Sequence, residues 1–169
     1  MANYLYSWGR NHKGQLGDGT TVDKNYPVKI GSDTWIELSI GAGHSVGIKS
    51  DNTLWSWGYN YYGEIGDGTN VDKSSPVQIG SSYWTHIACG GYHTVAIKND
   101  GTLWSWGYNY NGQLGNGNNT NTNTPSQIGS STWTAIACGA YHTLAIKSDG
   151  TLWAWGDNAY GQLGDGTNC

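Results

Sequence analysis

Short stretches of alternating or continuous apolar residues are separated along the whole chain by polar, glycine-rich segments. Trp84-Thr85-His86-Ile87-Ala88-Cys89, Thr94-Val95-Ala96-Ile97-Lys98 and Leu103-Trp104-Ser105-Trp106 read as three strands, and Val77-Gln78-Ile79 after Pro76 reads as a fourth. Clusters such as Gly63-Glu64-Ile65-Gly66-Asp67-Gly68 leave no long stretch fit for a helix. Between the second and third strands, Asn99-Asp100-Gly101-Thr102 and Ser148-Asp149-Gly150-Thr151 predict tight turns in which Gly supplies a positive φ. Asn52 holds that place in an earlier copy, and Asn is the next most tolerant of the left-handed region. Pro76 lacks an amide donor, which places its strand at a sheet edge, on the outside.

The same pattern returns every 49 residues. Trp8, Trp57, Trp106 and Trp155 obey this spacing, as do Trp35, Trp84 and Trp133, and Trp55, Trp104 and Trp153. Pro27, Pro76 and Pro125 follow it, and so do His44, His93 and His142. Four strands per period at this spacing predict an all-β protein of β-propeller blades, each of four antiparallel strands. The chain holds about three and a half repeats, so the ring is incomplete within it. We read residues 1–169 as one array: a partial blade 1–31, then repeats at about 32–80, 81–129 and 130–169, the last incomplete.

Composition narrows the function. Glycine (27), tryptophan (10) and tyrosine (12) are abundant, phenylalanine is absent, and only 12% of residues are charged. A formal charge of −4 supplies no basic field for nucleic acid phosphates or an anionic membrane. No apolar run reaches a membrane span, and Met1-Ala2-Asn3-Tyr4 does not open a signal peptide. As written the chain reads as cytoplasmic, with a virion or cell surface left open, and neither nucleic acid binding nor membrane insertion is expected.

Gly90-Gly91-Tyr92-His93-Thr94-Val95-Ala96-Ile97-Lys98, Asp100-Gly101-Thr102-Leu103-Trp104-Ser105-Trp106-Gly107, and Asn109 followed by Gly112-Gln113-Leu114-Gly115 resemble the repeat of the regulator of chromosome condensation family. The likeness runs from Leu5 to Thr167 and has the plain character of bacterial or phage repeat modules. It implies a propeller, usually of seven blades, and leaves function open. Members that promote nucleotide exchange on a small GTPase use a wedge inserted in one blade, and the constant spacing here leaves no room for one. A light-sensing member carries Gly-Trp-Arg-His-Thr, where this chain has Gly91-Tyr92-His93-Thr94 and Gly139-Ala140-Tyr141-His142-Thr143. Abundant tryptophan is therefore no sign of photoreception.

Candidate chemistry is sparse. His44, His93 and His142 recur once per blade, so they should be spread around an arc and hold repeated backbone hydrogen bonds, with no metal ligated. Asp18, Asp67 and Asp165 sit in Gly-Asp-Gly-Thr segments and favour turn formation over calcium binding, which needs several carboxylates at one centre. Cys89 and Cys138 stand where Ile40 stands in an earlier copy, which marks a small apolar site; Cys169 is expected to be reactive if exposed. No carboxylate pair or nucleophile elbow points to catalysis, and no cofactor motif is present. Trp8, Trp57, Trp106, Trp155, Trp35, Trp84 and Trp133, with the three repeated histidines, are expected to be structural.

Variation among copies marks the candidate binding residues. His12-Lys13, Tyr61-Tyr62, Tyr110-Asn111 and Ala159-Tyr160 occupy one loop position in successive repeats. Tyr and Asn at loop tips make adaptable contacts with protein or stack on sugars, and drift in unconstrained loops is the plain alternative. We therefore take His12, Lys13, Tyr61, Tyr62, Tyr110, Asn111 and Tyr160 as candidate binding residues of a non-enzymatic scaffold or protein-binding module. The array begins and ends within a blade, because Leu5 to Thr20 and Leu152 to Thr167 are versions of one segment. Open strand edges recruit partners, so self-association by strand sharing is expected, as a closed homo-oligomer or a filament; a piece of a longer array is the other reading. A carbohydrate-binding surface or phage adhesion protein is the alternative of another class, and a nucleotide exchange factor is less favoured.

Overall fold

The computed structural model describes residues 3–168, so Cys169 lies outside the described residues. Within them the chain is all-β: ten antiparallel strands follow one another in order in one unclosed arrangement. They are β1 (Tyr4–Gly9), β2 (Lys24–Ile40), β3 (His44–Lys49), β4 (Thr53–Gly58), β5 (Lys73–Cys89), β6 (His93–Lys98), β7 (Thr102–Gly107), β8 (Thr122–Cys138), β9 (His142–Lys147) and β10 (Leu152–Gly156).

The three 17-residue strands each serve two blades. In β5, Lys73 to Gln78 pair outward onto β4, whereas Trp84 to Cys89 pair onto β6 of the next blade. The outer strand at Pro76 and the strand at Trp84, expected as separate elements, are thus one continuous strand. It turns at Gly80, where φ is +62° and the register onto β4 shifts between Gln78 and Tyr83. Gly31 and Gly129 turn β2 and β8 at the equivalent places.

Two blades are complete: the end of β2 with β3, β4 and the start of β5, and the end of β5 with β6, β7 and the start of β8. Before them, among the described residues, β1 pairs with the start of β2 as the third and outer strands of a blade. After them stands a blade of the end of β8 with β9 and β10, without its outer strand. The turn at Asn52 takes φ +66°, matching the φ +82° of Gly101 in the next copy.

The core lies between blades. Val46, Ile48 and Leu54 of the first complete blade pack with Ile65 and Ile79 against Trp84, Ile87, Ala96 and Trp106 of the second. Val95, Ile97 and Leu103 repeat the arrangement against Trp133 and Ala145 of the following blade. Each blade thus buries its apolar face only against a neighbour, which is why the fold exists as an array.

Candidate functional site

One junction repeats at every blade boundary. Trp106 donates its indole N–H to the Glu64 carbonyl at 2.8 Å, and the Thr94 hydroxyl donates to the same oxygen at 2.9 Å. Trp57 and Ser45 share the Gln15 carbonyl, and Trp155 and Thr143 share that of Gln113. Because Thr94 uses its proton on Glu64, its oxygen accepts from His44 Nε2 at 3.0 Å; His93 and Thr143 repeat this pair. His44 and His93 thus bond to a side-chain hydroxyl of the next blade, and the carbonyls of His44, His93 and His142 each accept the backbone amide of Gly41, Gly90 or Gly139, a backbone bond that repeats once per blade. Burial holds His44 down at about 4, and burial with the neighbouring His44 and His142 holds His93 down at about 3, so both rings are neutral. A Cβ on Gly90 would collide with the His93 ring, which explains a glycine there.

The loop that supplies the shared carbonyl is itself pinned by one buried asparagine. Asn60 accepts from the Ile65 amide and donates through Nδ2 to the Thr69 and Val71 carbonyls. Asp67 accepts from the amide and hydroxyl of Thr69, so its role is the turn expected of it. Among the described residues no group of three or more His, Cys, Asp or Glu could hold a metal ion. Cys89 and Cys138 are free, and burial pushes both thiols up to about 12. Among the described residues no helix is long and apolar enough to cross a membrane.

With the loops fixed, their tips gather the tyrosines. Tyr61 and Tyr62 meet edge to face with ring centroids 4.9 Å apart, and Tyr62 lies 4.7 Å from Tyr108 and 5.8 Å from Tyr92. Tyr110 stacks on Tyr108 at 6.4 Å, Tyr141 lies beside Tyr92 at 6.1 Å, and Tyr59 stacks on Tyr61 at 6.4 Å. A cleft of about 260 Å³ opens among Tyr62, Tyr92, Tyr108, Asn111 and Tyr141. Lys13 joins at the margin, its ammonium 5.1 Å from the Tyr59 ring centre and 3.4 Å from the Asp72 carboxylate. Burial raises the Tyr59 and Tyr108 phenols above their ordinary value, and the Glu64 charge adds to this at Tyr59.

Of the candidate binding residues, Lys13, Tyr61, Tyr62, Tyr110 and Asn111 therefore come together. His12 pairs instead with Asp23 at 3.8 Å, and Tyr160 stands 92% exposed, outside the cluster of ring contacts. Four residues of the cluster escaped sequence reasoning: Tyr59, Tyr92, Tyr108 and Tyr141. Their signal was present, since Tyr59 and Tyr108, and Tyr92 and Tyr141, are pairs 49 apart. Their positions vary as well, with Arg10 and Asp157 at the place of Tyr59 and Tyr108 and Gly43 at the place of Tyr92 and Tyr141, but they lie outside the stretch between the repeated Asn and Gly from which the candidates are drawn.

The open ends form a second candidate surface. Leu54 and Leu103 are fully buried, whereas Leu152, at the same place in the last blade, is 67% exposed. Trp57 and Trp106 are buried, whereas Trp8, which has no preceding blade against it among the described residues, is 60% exposed. At this end a cleft of about 490 Å³ is lined by residues including Tyr6, Trp8, Leu38, Ile40 and Val46.

Family models for the regulator of chromosome condensation (RCC1) repeat match residues 3–48, 51–97 and 100–146, and a second model of that repeat matches 35–64, 84–113 and 133–162. The chain belongs to the RCC1 repeat family. No curated protein matches it in sequence. Human WBSCR16 is similar in structure, with a TM-score of 0.88 at 25% identity over 98% of this chain and 46% of that one. Prp20p of Saccharomyces cerevisiae superimposes with a TM-score of 0.81 at 24% identity, over 97% of this chain and 43% of its own. Yeast RCC1 (Prp20) bound to Kap60 gives 0.79 at 21% identity, over 92% and 40%. The RCC1-repeat chain thus has the β-propeller fold and spans less than half the length of these three. RCC1-repeat propellers are mostly binding or regulatory modules.

Proposed function

We propose that this RCC1-repeat chain is a non-catalytic protein-binding scaffold whose exposed apolar blade faces pack against those of a second copy. Protein binding has precedent in the yeast relative, which is bound to Kap60 in one structure and is described with binding properties to Gsp1p and histones in another. The observation that supports the self-association is a pair of exposed apolar surfaces among the described residues: Ile146 is 38% exposed on one, and Leu38 and Ile40 are 48% and 76% exposed on the other, beside a cleft of about 490 Å³.

In this reading the hairpin of the end of β8 with β9, Trp133 to Lys147, enters the cleft beside Leu38 and Ile40 of the second copy. Its Ile146, 38% exposed where Ile48 and Ile97 are buried, regains the cover of a neighbouring blade. His142 would meet Ser45 as His44 meets Thr94, because Ser45 spends its proton on the Gln15 carbonyl and keeps an acceptor. Leu5 to Thr20 and Leu152 to Thr167 then compete for one place as third strand, so the composite blade forms by displacement.

Light scattering behind size exclusion tests this. The expected result is a mass of two or more chains that Ile146→Asp, an exposed change, returns to one. A single-chain mass for the unmodified protein across the accessible concentration range overturns the reading.

A further inference from the structure

The tyrosine cleft is independent of the blade ends and carries a separate function. We propose that it binds a neutral oligosaccharide. Its lining of Tyr62, Tyr92, Tyr108, Asn111 and Tyr141 contains no charged side chain. The nearby Lys13 ammonium is already matched by the Asp72 carboxylate. An ionic headgroup such as phosphate, sulfate or carboxylate would find no counter-charge there.

The lining is also not simply greasy. Among the described residues the hydroxyls of these tyrosines bond to nothing else in the chain, and none is a buried orphan. Asn111 bonds through its backbone amide to Gln113, which leaves its side-chain amide free. An occupant must therefore offer apolar faces to the rings and, at the same time, donors and acceptors to four phenols and an amide. Covering those groups without replacing their water bonds leaves them unsatisfied and weakens binding.

That requirement separates the ligand classes. A quaternary ammonium would enjoy the ring faces but offers neither donor nor acceptor. A proline-rich segment brings carbonyl acceptors and few donors. A pyranose ring carries C–H faces for stacking and hydroxyls that act as both donor and acceptor around its rim. The cleft of about 260 Å³ is on the scale of one sugar unit.

The flanks extend the site. Tyr61 stacks on Tyr59 with 14° between ring planes, and Tyr110 stacks on Tyr108 with 19°. Tyr61 and Tyr110 are 65% and 73% exposed, so each pair presents an open ring one blade apart. Two equivalent platforms bordering the cleft, one against Tyr62 and one built on Tyr108, suit a chain of repeating units that places more than one sugar on the surface. Tyrosine side chains lose little freedom on binding, which favours affinity from such a preformed surface.

A printed array of neutral glucans, mannans, galactans and xylans, with sialylated and sulfated glycans alongside, gives the test, followed by calorimetric titration of the strongest neutral oligosaccharide. Binding is expected to neutral members only. Tyr110→Ala, an exposed change, should weaken it tenfold or more, and Tyr62→Phe, which keeps the ring and removes the hydroxyl, several-fold. Circular dichroism of both variants should match the parent. No neutral glycan bound by the folded protein, a preference for the charged arm, or titration of choline or a decaproline peptide into the same tyrosines in place of sugar would each overturn the proposal.

Discussion

The Thr94 hydroxyl accepts the Nε2 proton of His44 across a blade boundary at 3.0 Å. It donates its own O–H hydrogen bond to the Glu64 carbonyl, so one hydroxyl ties a ring and a loop of the preceding blade together. Thr94→Val keeps the shape, removes both bonds and strands a buried ring nitrogen. The variant should lose about 2–3 kcal/mol, read as a lower urea midpoint. Thr94→Ser should retain most of the stability, since Ser45 fills this place in the preceding copy.

Glu64 stands where three sister loops have Gln15, Gln113 and Gln162. Its Oε2 accepts from the Tyr62 amide at 2.9 Å, while Oε1 is buried without a partner. Burial pushes its carboxyl up to about 7, with Asp72 adding to the effect and backbone bonds opposing it. The folded chain therefore holds this proton more tightly than the unfolded chain. The stabilisation is complete below about 4.5, the ordinary value, and is lost as pH rises to about 7. Glu64→Gln should be more stable than the parent at pH 8 and show no loss through that window, measured by urea midpoints.

The buried histidines act with opposite sign. Their folded values of about 4 and about 3 lie below the ordinary 6.5, so the neutral rings favour the fold above 6.5. That contribution drains away as pH falls from 6.5 toward 3. The decline should appear most clearly in the Glu64→Gln background, where the opposing carboxyl no longer masks it, and urea midpoints between pH 3.5 and 7.5 would display it.

Two positive-φ glycines separate backbone strain from collision. At Gly66, φ +83°, an added Cβ would lie 2.7 Å from Trp106 Nε1, whereas at Gly80, φ +62°, it meets nothing within 4 Å. Gly80→Ala should cost about 1–2 kcal/mol for the left-handed backbone alone. Gly66→Ala should cost at least about 1 kcal/mol more, through displacement of the indole from the Glu64 carbonyl. Thermal melts of the two variants side by side provide the measurement.

Equivalent tryptophans should differ by position in the array. Trp57 is buried and bonded to Gln15, so Trp57→Ala should cost about 3–5 kcal/mol. Trp8 is 60% exposed, and Trp8→Ala should leave the chain's denaturant midpoint within about 0.5 kcal/mol of the parent.

Much of the architecture was legible because local requirements repeat. The turn glycine whose place Asn52 takes and the edge proline each state a backbone demand within a single copy, and the 49-residue lattice of tryptophans shows, by comparison of copies, that the same packing demand recurs. The partners of the histidines were not legible. His44 and Thr94 lie 50 residues apart, and nothing in either segment says that they meet. Tyr59, Tyr92, Tyr108 and Tyr141 escaped for a related reason: they sit on different loops, and only the stacking of blades brings their rings within contact distance.

By itself the sequence determined the strands, their turns and the fact of a repeating blade, because hydrophobic alternation, positive φ and missing amides act within a few residues. The tertiary structure alone decided which blade faces are covered and which loop tips share a surface. Leu103 and Leu152 have the same local sequence role, yet one is buried and the other 67% exposed. Burial belongs to the neighbour as much as to the residue, and a chain read along its length does not state which neighbours its ends possess.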